Sequence, residues 1–223
     1  MLAWVMQLAV AGGTRPPDGP ATLLARPDLG LFVVASPMGA THAAATFTFE
    51  ALVSHFELAK PDASAIERAP RDVLGAAVRA AALGWQERVA QDRTLRGVGA
   101  SIAAVLLRGD VAAVAHLGDC RVTQVRNGQV LRETSDHVSH AAKGHSLVIK
   151  AIGMDTEPDW AAWSVQRGDT LVLTAVVHDF VSDDELLHAC SGTGDVKQAA
   201  SALIALAASR EALDDLTVLV VRT

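Results

Sequence analysis

A chain of 223 residues, half of them hydrophobic, can bury a substantial core, and no stretch rich in Pro, Ser or charge divides it, so one domain over residues 1–223 is expected. The net charge of -6 gives no electrostatic reason to bind a phosphate polymer, which argues against nucleic acid as a partner. No segment approaches the roughly 18 apolar residues of a membrane helix. The apolar start MLAWVMQLAVAGG lacks the basic region of a secretion signal. Cys120 and Cys190 lie far apart and match neither a disulfide framework nor a paired zinc knuckle, so a cytoplasmic protein with free thiols and no membrane partner is expected.

In chain order, the first 35 residues read as short strands around the turn GGTRPPDGP. In GLFVVASPMGATHAAA, the strand-type run Leu31 to Ala35 enters a turn containing Pro37 and Gly39. Many enzymes place an acid where a strand ends in a small-residue turn, yet this turn offers only Ser36. Two Ala-rich helices are expected near residues 41–59 and 71–92, the second with Val73, Ala77, Ala80, Ala81 and Gly84 at roughly helical spacing. From residue 97 the period changes. GVGASIAAVLLRGDVAAVAHLGDCRVTQVRNGQVLRET holds three or four strands with hairpin turns at RGD and RNGQ, and Asn127-Gly128 is the strongest turn signal. An antiparallel meander follows from that pattern. WAAWSVQRGDTLVLTAVV reads as another strand pair, around a turn at Arg167 to Asp169. A helix over 195–210 precedes the last strand, LTVLVVRT, whose continuous apolar run suits burial on both faces. Strands at the beginning, middle and end with helices between them predict an α+β layered sandwich rather than regular βαβ units.

Five segments in order, GVGASIAAVLL, AHLGDCRVTQVRNGQVLRETSDH, VIKAIG, QRGDTLVLT and DDLTVLVV, resemble the PPM family, the metal-dependent type 2C Ser/Thr protein phosphatases, in its short bacterial form. More loosely, GGTRPPDGPATLL is similar to the family's Arg-x-x-Asn-Glu-Asp opening, and LFVVASPMGATHAAA to its Asp-Gly-Met-Gly-Gly-His turn. The resemblance implies a four-layer α-β-β-α sandwich, two central antiparallel sheets flanked by helices. It also implies a site in which two Mg²⁺ or Mn²⁺ ions, typically about 3.5–4 Å apart, activate the attacking water. Such hard cations need carboxylates.

Carried over residue by residue, the acids of that site are largely missing. Pro20 stands where the opening segment has its acid, Ser36 where the family has its bridging aspartate, and Val176 where it has the acid of a Ser-Asp-Gly turn. Asp214 is retained, and Asp119 matches an aspartate that helps to hold a weaker third metal in some bacterial members. Arg15 matches the arginine that contacts the substrate phosphate, a role suited to its planar charged fork. The lid between Asp136-His137 and VIKAIG is short.

Each candidate has a plainer alternative. Arg15 could be a solvated turn residue, Asp119 a hairpin acid paired with Arg121, and Asp214 a turn acid. His137, His140 and His145 could bind zinc or simply belong to a polar loop replacing the lid. Cys120 reads as a small core residue. Trp160 and Trp163 face opposite sides of a strand, so one could be exposed to anchor a partner. The resulting expectation is a pseudophosphatase without resident cofactor, binding a protein partner such as a phosphoprotein or a component of a Ser/Thr kinase pathway. The rival is an active Mn- or Mg-dependent phosphatase that recruits Asp18, Asp119, Asp179, Asp214 or Asp215. A third possibility is a module that reads phosphorylated Ser or Thr through Arg15 without hydrolysis.

Overall fold

The computed structural model describes residues 7–12, 22–57, 63–140, 146–154, 157–192, 195–210 and 215–223. Two five-stranded antiparallel sheets form the centre. The first runs β1 (Gln7–Gly12), β12 (Thr217–Arg222), β11 (Thr170–Ala175), β6 (Arg121–Arg126) and β7 (Gln129–Glu133). The second runs β10 (Asp159–Ser164), β5 (Val111–Leu117), β4 (Gly99–Arg108), β3 (Leu31–Met38) and β2 (Leu23–Arg26). Helices α1 (Ala43–Glu57), α2 (Ala63–Arg68) and α3 (Pro70–Gln91) follow β3, and α4 (Asp183–Gly192) and α5 (Val196–Ala208) precede β12. The expected four-layer sandwich is therefore present.

The layering explains the apolar runs. In β3, Leu31, Val33 and Ala35 pack with α1 and α3, while Phe32 and Val34 join Val122, Leu173 and Leu219 between the sheets. Both faces are buried, so the run shows no alternation. On the other side Val172, Val218 and Val220 of the first sheet pack with Val196 and Leu203 of α5. Trp85 of α3 is fully buried, its indole N–H donating to Val98 O at 3.1 Å. The two tryptophans of β10 do face opposite ways. Trp163 is 7% exposed in the layer between the sheets, whereas the Trp160 ring lies against Gly75 of α3, with the Arg79 guanidinium 4.8 Å from its centroid. Neither is left as an exposed anchor.

Two expectations about connectivity are corrected. The strands after residue 97 are two hairpins in different sheets, not one meander: β4 and β5 pair in the second sheet, β6 and β7 in the first. Likewise β10 pairs with β5 while β11 lies between β12 and β6, so the turn at Arg167 to Asp169 crosses between layers. Alternation reports which residues face the core, and Val114 of β5 and Val122 of β6 face the same core from opposite sides. The Asn127-Gly128 turn is as expected, with φ of +52° and +73°, the positive pair that a tight hairpin needs. The segment after His137 is not a plain polar loop, because β8 (Val138–His140) pairs with β9 (Ser146–Val148).

Candidate functional site

The site is assembled where strand ends of both sheets meet. Ser36 near the end of β3 is paired with the buried Ser101 of β4. The chain then crosses from β5 to β6 through Gly118, which has φ +96° and packs so closely on Ser101 that a Cβ would lie 2.0 Å from its Oγ. The Asp119 N–H donates to that Oγ at 3.3 Å. Below the turn, Thr22 and Thr217 join the two sheets through a buried hydroxyl pair at 2.8 Å. The far wall begins at Val176, directly after β11. Its φ of +67° and ψ of -36° are strained for a β-branched residue. A 3-10 turn, Val177–Asp179, follows.

The expected Asp119–Arg121 pair does not form. Arg121 instead makes a two-pronged contact with Asp136, Nε at 3.1 Å and Nη2 at 2.6 Å. His178, 4% exposed, is held by Thr174 Oγ1 at 3.0 Å from Nδ1, and its Nε2 lies 3.5 Å from Asp136 and 3.9 Å from Asp179 without a hydrogen bond to either. Burial works to raise the Asp136 carboxyl, but His178 and Arg121 outweigh it and hold the group at about 2. Burial raises the Asp179 carboxyl above its usual range, helped by Asp119 and Asp136 and opposed by His178. Cys120, fully buried, has its thiol pushed up, first by burial and then by the charge of Asp119. His42 stands 4.0 Å from Asp215 at the start of α1, and its Nδ1 is buried without a partner.

At positions 36 and 176 the chain presents a hydroxyl and an isopropyl group, neither of which supplies the charged oxygen that a hard divalent cation takes. β11 ends at Ala175, paired with Thr217, and Asp179 closes the 3-10 turn that follows. Arg15, Asp18, Pro20, Asp214 and His145 lie outside the described residues, as does the side chain of His140.

A second cluster forms at the open edge between the sheets. Donor atoms of His116, His137 and Asp159 lie within 4.8 Å of one another, brought together from three separated segments. They are not oriented for one ion. The two imidazoles stack face to face, centroids 4.3 Å apart and 12° from parallel, whereas a shared ion would have to lie in the plane of both rings. The Gly118 N–H donates to His137 Nδ1 at 3.1 Å, which leaves the ring proton on Nε2, facing Asp159 at 2.9 Å. His116 donates to Ser135 O at 2.9 Å, and burial lowers its imidazole below the usual range.

His178, His116 and Asp159 were missed by sequence reasoning. His116 had a signal, a lone polar side chain in an otherwise apolar strand. His178 had none besides its proximity to Asp179.

Two antiparallel sheets between helical layers, with this order of strand ends at one cleft, are the PPM-type phosphatase fold, and homologues and structural neighbours of the chain are PPM-type Ser/Thr phosphatases. The serine/threonine protein phosphatase PstP of Mycobacterium tuberculosis is 29% identical over 164 residues, covering 66% of this chain and 32% of that protein. A phosphatase 2C-type protein of Streptococcus pyogenes is 27% identical over 149 residues, covering 59% of this chain and 61% of its own length. The chain thus spans about a third of the mycobacterial protein and three fifths of the streptococcal one. Among solved structures, PstP superposes with a TM-score of 0.81 at 25% identity, over 97% of this chain and 98% of that one. PppA, described as a key regulatory component of T6SS in Pseudomonas aeruginosa, superposes at 0.77 with 29% identity, over 97% of each chain. No family model matches the chain.

Proposed function

We propose that this chain is a catalytically degenerate type 2C phosphatase-like module that binds or regulates a phosphoprotein in Ser/Thr phosphorylation signalling, acting in the cytoplasm. The observation that carries this reading is the pair Ser36 and Val176. The first is half-buried on β3, and the second packs against the α4/α5 core in a strained turn, so neither offers the charge that a divalent pair needs. Pro20 extends the pattern in the sequence. The relatives support the signalling context, since they are named as Ser/Thr phosphatases and one is described as a regulatory component. The described residues also contain no helix long and apolar enough to cross a membrane.

One observation favours a second reading, an active phosphatase with an unusual ligand set: Asp119 and Asp136 lie close enough to Asp179 to help burial raise its carboxyl above the usual range. Asp215 stands 4.0 Å from His42.

Calorimetric titration of the metal-free protein with Mn²⁺, followed by a phosphopeptide hydrolysis assay, separates the two readings, with Asp214→Asn as the control. Absence of heat at millimolar Mn²⁺ and absence of turnover are expected. Two micromolar sites weakened by Asp214→Asn, together with metal-dependent turnover, would establish the active reading instead.

A further inference from the structure

β10 presents an open edge. It pairs with β5 on one side, and no described residue forms a strand on the other. The Val165 N–H donates to Asp110 O at 2.8 Å, in the same register as the β10–β5 pairs. By the alternation of an antiparallel ladder, Ala161 and Trp163 therefore exchange hydrogen bonds with β5, while Trp160 and Ala162 turn their N–H and C=O groups to the open side. Ser164 O faces that side too, where it accepts from Gln124 Nε2 at 2.9 Å and Arg126 Nη2 at 3.1 Å. This closes the Ser164 end, and among the described residues nothing bonds to the outward groups of Trp160 and Ala162. Sheet edges are usually guarded by charge, as Arg132 and Glu133 guard β7, but the stretch Trp160 to Trp163 carries none.

A cavity of about 160 Å³ lies beside this edge, in the layer between the sheets. Its apolar floor is Val114, Ala161 and Trp163, and its walls include His116, Glu133 and Asp159. It is smaller than the roughly 300–1,000 Å³ of small-molecule pockets and suits a single side chain. Two carboxylates and no Lys or Arg line it. Asp159 is shared with Lys150 and His137, but Glu133 is 41% exposed on its side chain and 3.8 Å from Arg121, which is committed to Asp136. We infer that β10 is a docking edge for an extended segment of a partner protein, which adds to the five-stranded sheet as a further strand and places one Lys or Arg side chain in the cavity. Trp160 and Ala162 exchange hydrogen bonds with the main chain of that segment, and its residue opposite Ala161 shares the face of Ala161 and so points into the cavity. The apolar floor takes the stem of the basic side chain and the carboxylates take its head. Main-chain pairing supplies the affinity and the cavity the sequence preference. This surface uses neither Ser36 nor Val176, so the inference goes beyond the proposed function and does not rest on it.

The test uses the full chain, isotope-labelled for amide NMR and titrated with the capped peptide Thr-Val-Lys-Val-Thr and with the same peptide carrying Glu at its centre. The expected result is saturable shifts of the Trp160 and Ala162 amide resonances with the Lys peptide, and binding of the Glu peptide at least about 10-fold weaker. Ala162→Pro removes an outward N–H that β5 does not use, and it should abolish the shift at Trp160. Glu133→Lys, at an exposed position, should reverse the preference between the two peptides. Absence of shifts at those amides with millimolar Lys peptide, equal binding of the two peptides, or binding retained in Ala162→Pro would overturn the inference. If Ala162→Pro fails to fold, an unchanged preference in Glu133→Lys overturns it alone. Metal-dependent phosphatase turnover would refute the proposed function without moving any of these readouts.

Discussion

Replacing Asp169 by Ala should cost about 3 kcal/mol of stability. The carboxylate is 1% exposed and accepts from Arg126 Nε and Nη2, both at 2.7 Å, from Gln124 Nε2 at 2.8 Å and from the Gln166 N–H at 2.9 Å. Breaking a buried ion pair by removing one partner typically costs about 3–5 kcal/mol. The lower end is expected here because Arg126 is 20% exposed and both it and Gln124 keep a contact to Ser164 O. For a domain of this size that corresponds to about 6–12 °C in melting temperature. Burial raises the Asp169 carboxyl, but Arg126 and the other donors hold it below the usual range. Its stabilisation is thus fully present above the unfolded value of about 3.9 and is lost as pH falls through the lower folded value. Urea unfolding followed by tryptophan fluorescence, for the parent, Asp169→Ala, Arg126→Met and the double variant, measures both the cost and the coupling. A cost under about 1 kcal/mol, or a gap between parent and variant that does not narrow below about pH 4, would refute the argument.

Gly118→Ala should lower the melting temperature far more than Gly97→Ala. Both glycines have positive φ, but the added Cβ meets Ser101 at the first and nothing within 4 Å at the second, which isolates the steric part of the cost in a thermal scan. Val176→Gly should raise the urea midpoint, because strain of about 1–3 kcal/mol is relieved and only a half-buried side chain is lost. A lowered midpoint would mean that the isopropyl contacts outweigh the strain. Cys120 and Cys190 should not react with a thiol reagent at pH 8 until denaturant is added. Burial pushes the Cys190 thiol up to about 11 and that of the fully buried Cys120 also upward, so rapid labelling of the native protein would contradict their placement.

The parts of the fold legible in the sequence were those set by local chemistry. Asn127-Gly128 demanded a tight hairpin, and the odd spacing of Trp160 and Trp163 sent them to opposite faces. Sheet membership was not legible, because β5 and β6 alternate toward one shared core whether or not they pair. Helix α2 was missed; it is only six residues long, too short for a periodic signal. At the site, Ser36 and Val176 could be read as departures from a pattern. The convergence of His178 with Asp136, and of His116 with Asp159, depends on turns that bring distant segments together, and no spacing rule encodes it.

The pairing of β1 with β12 sets Gln7 opposite Arg222. During synthesis β1 emerges early but has no hydrogen-bonding neighbour until β12 has left the ribosome, because β12 separates it from β11. In the second sheet, by contrast, β2 to β5 can pair as soon as they appear, with α1 and α3 available to cover them. The two halves of the sandwich thus become available in sequence, and the half that carries Val176 and His178 is completed last. A nascent chain would hold its apolar inner face open until then, which makes the interval before β12 arrives the period of greatest exposure to chaperones and to aggregation.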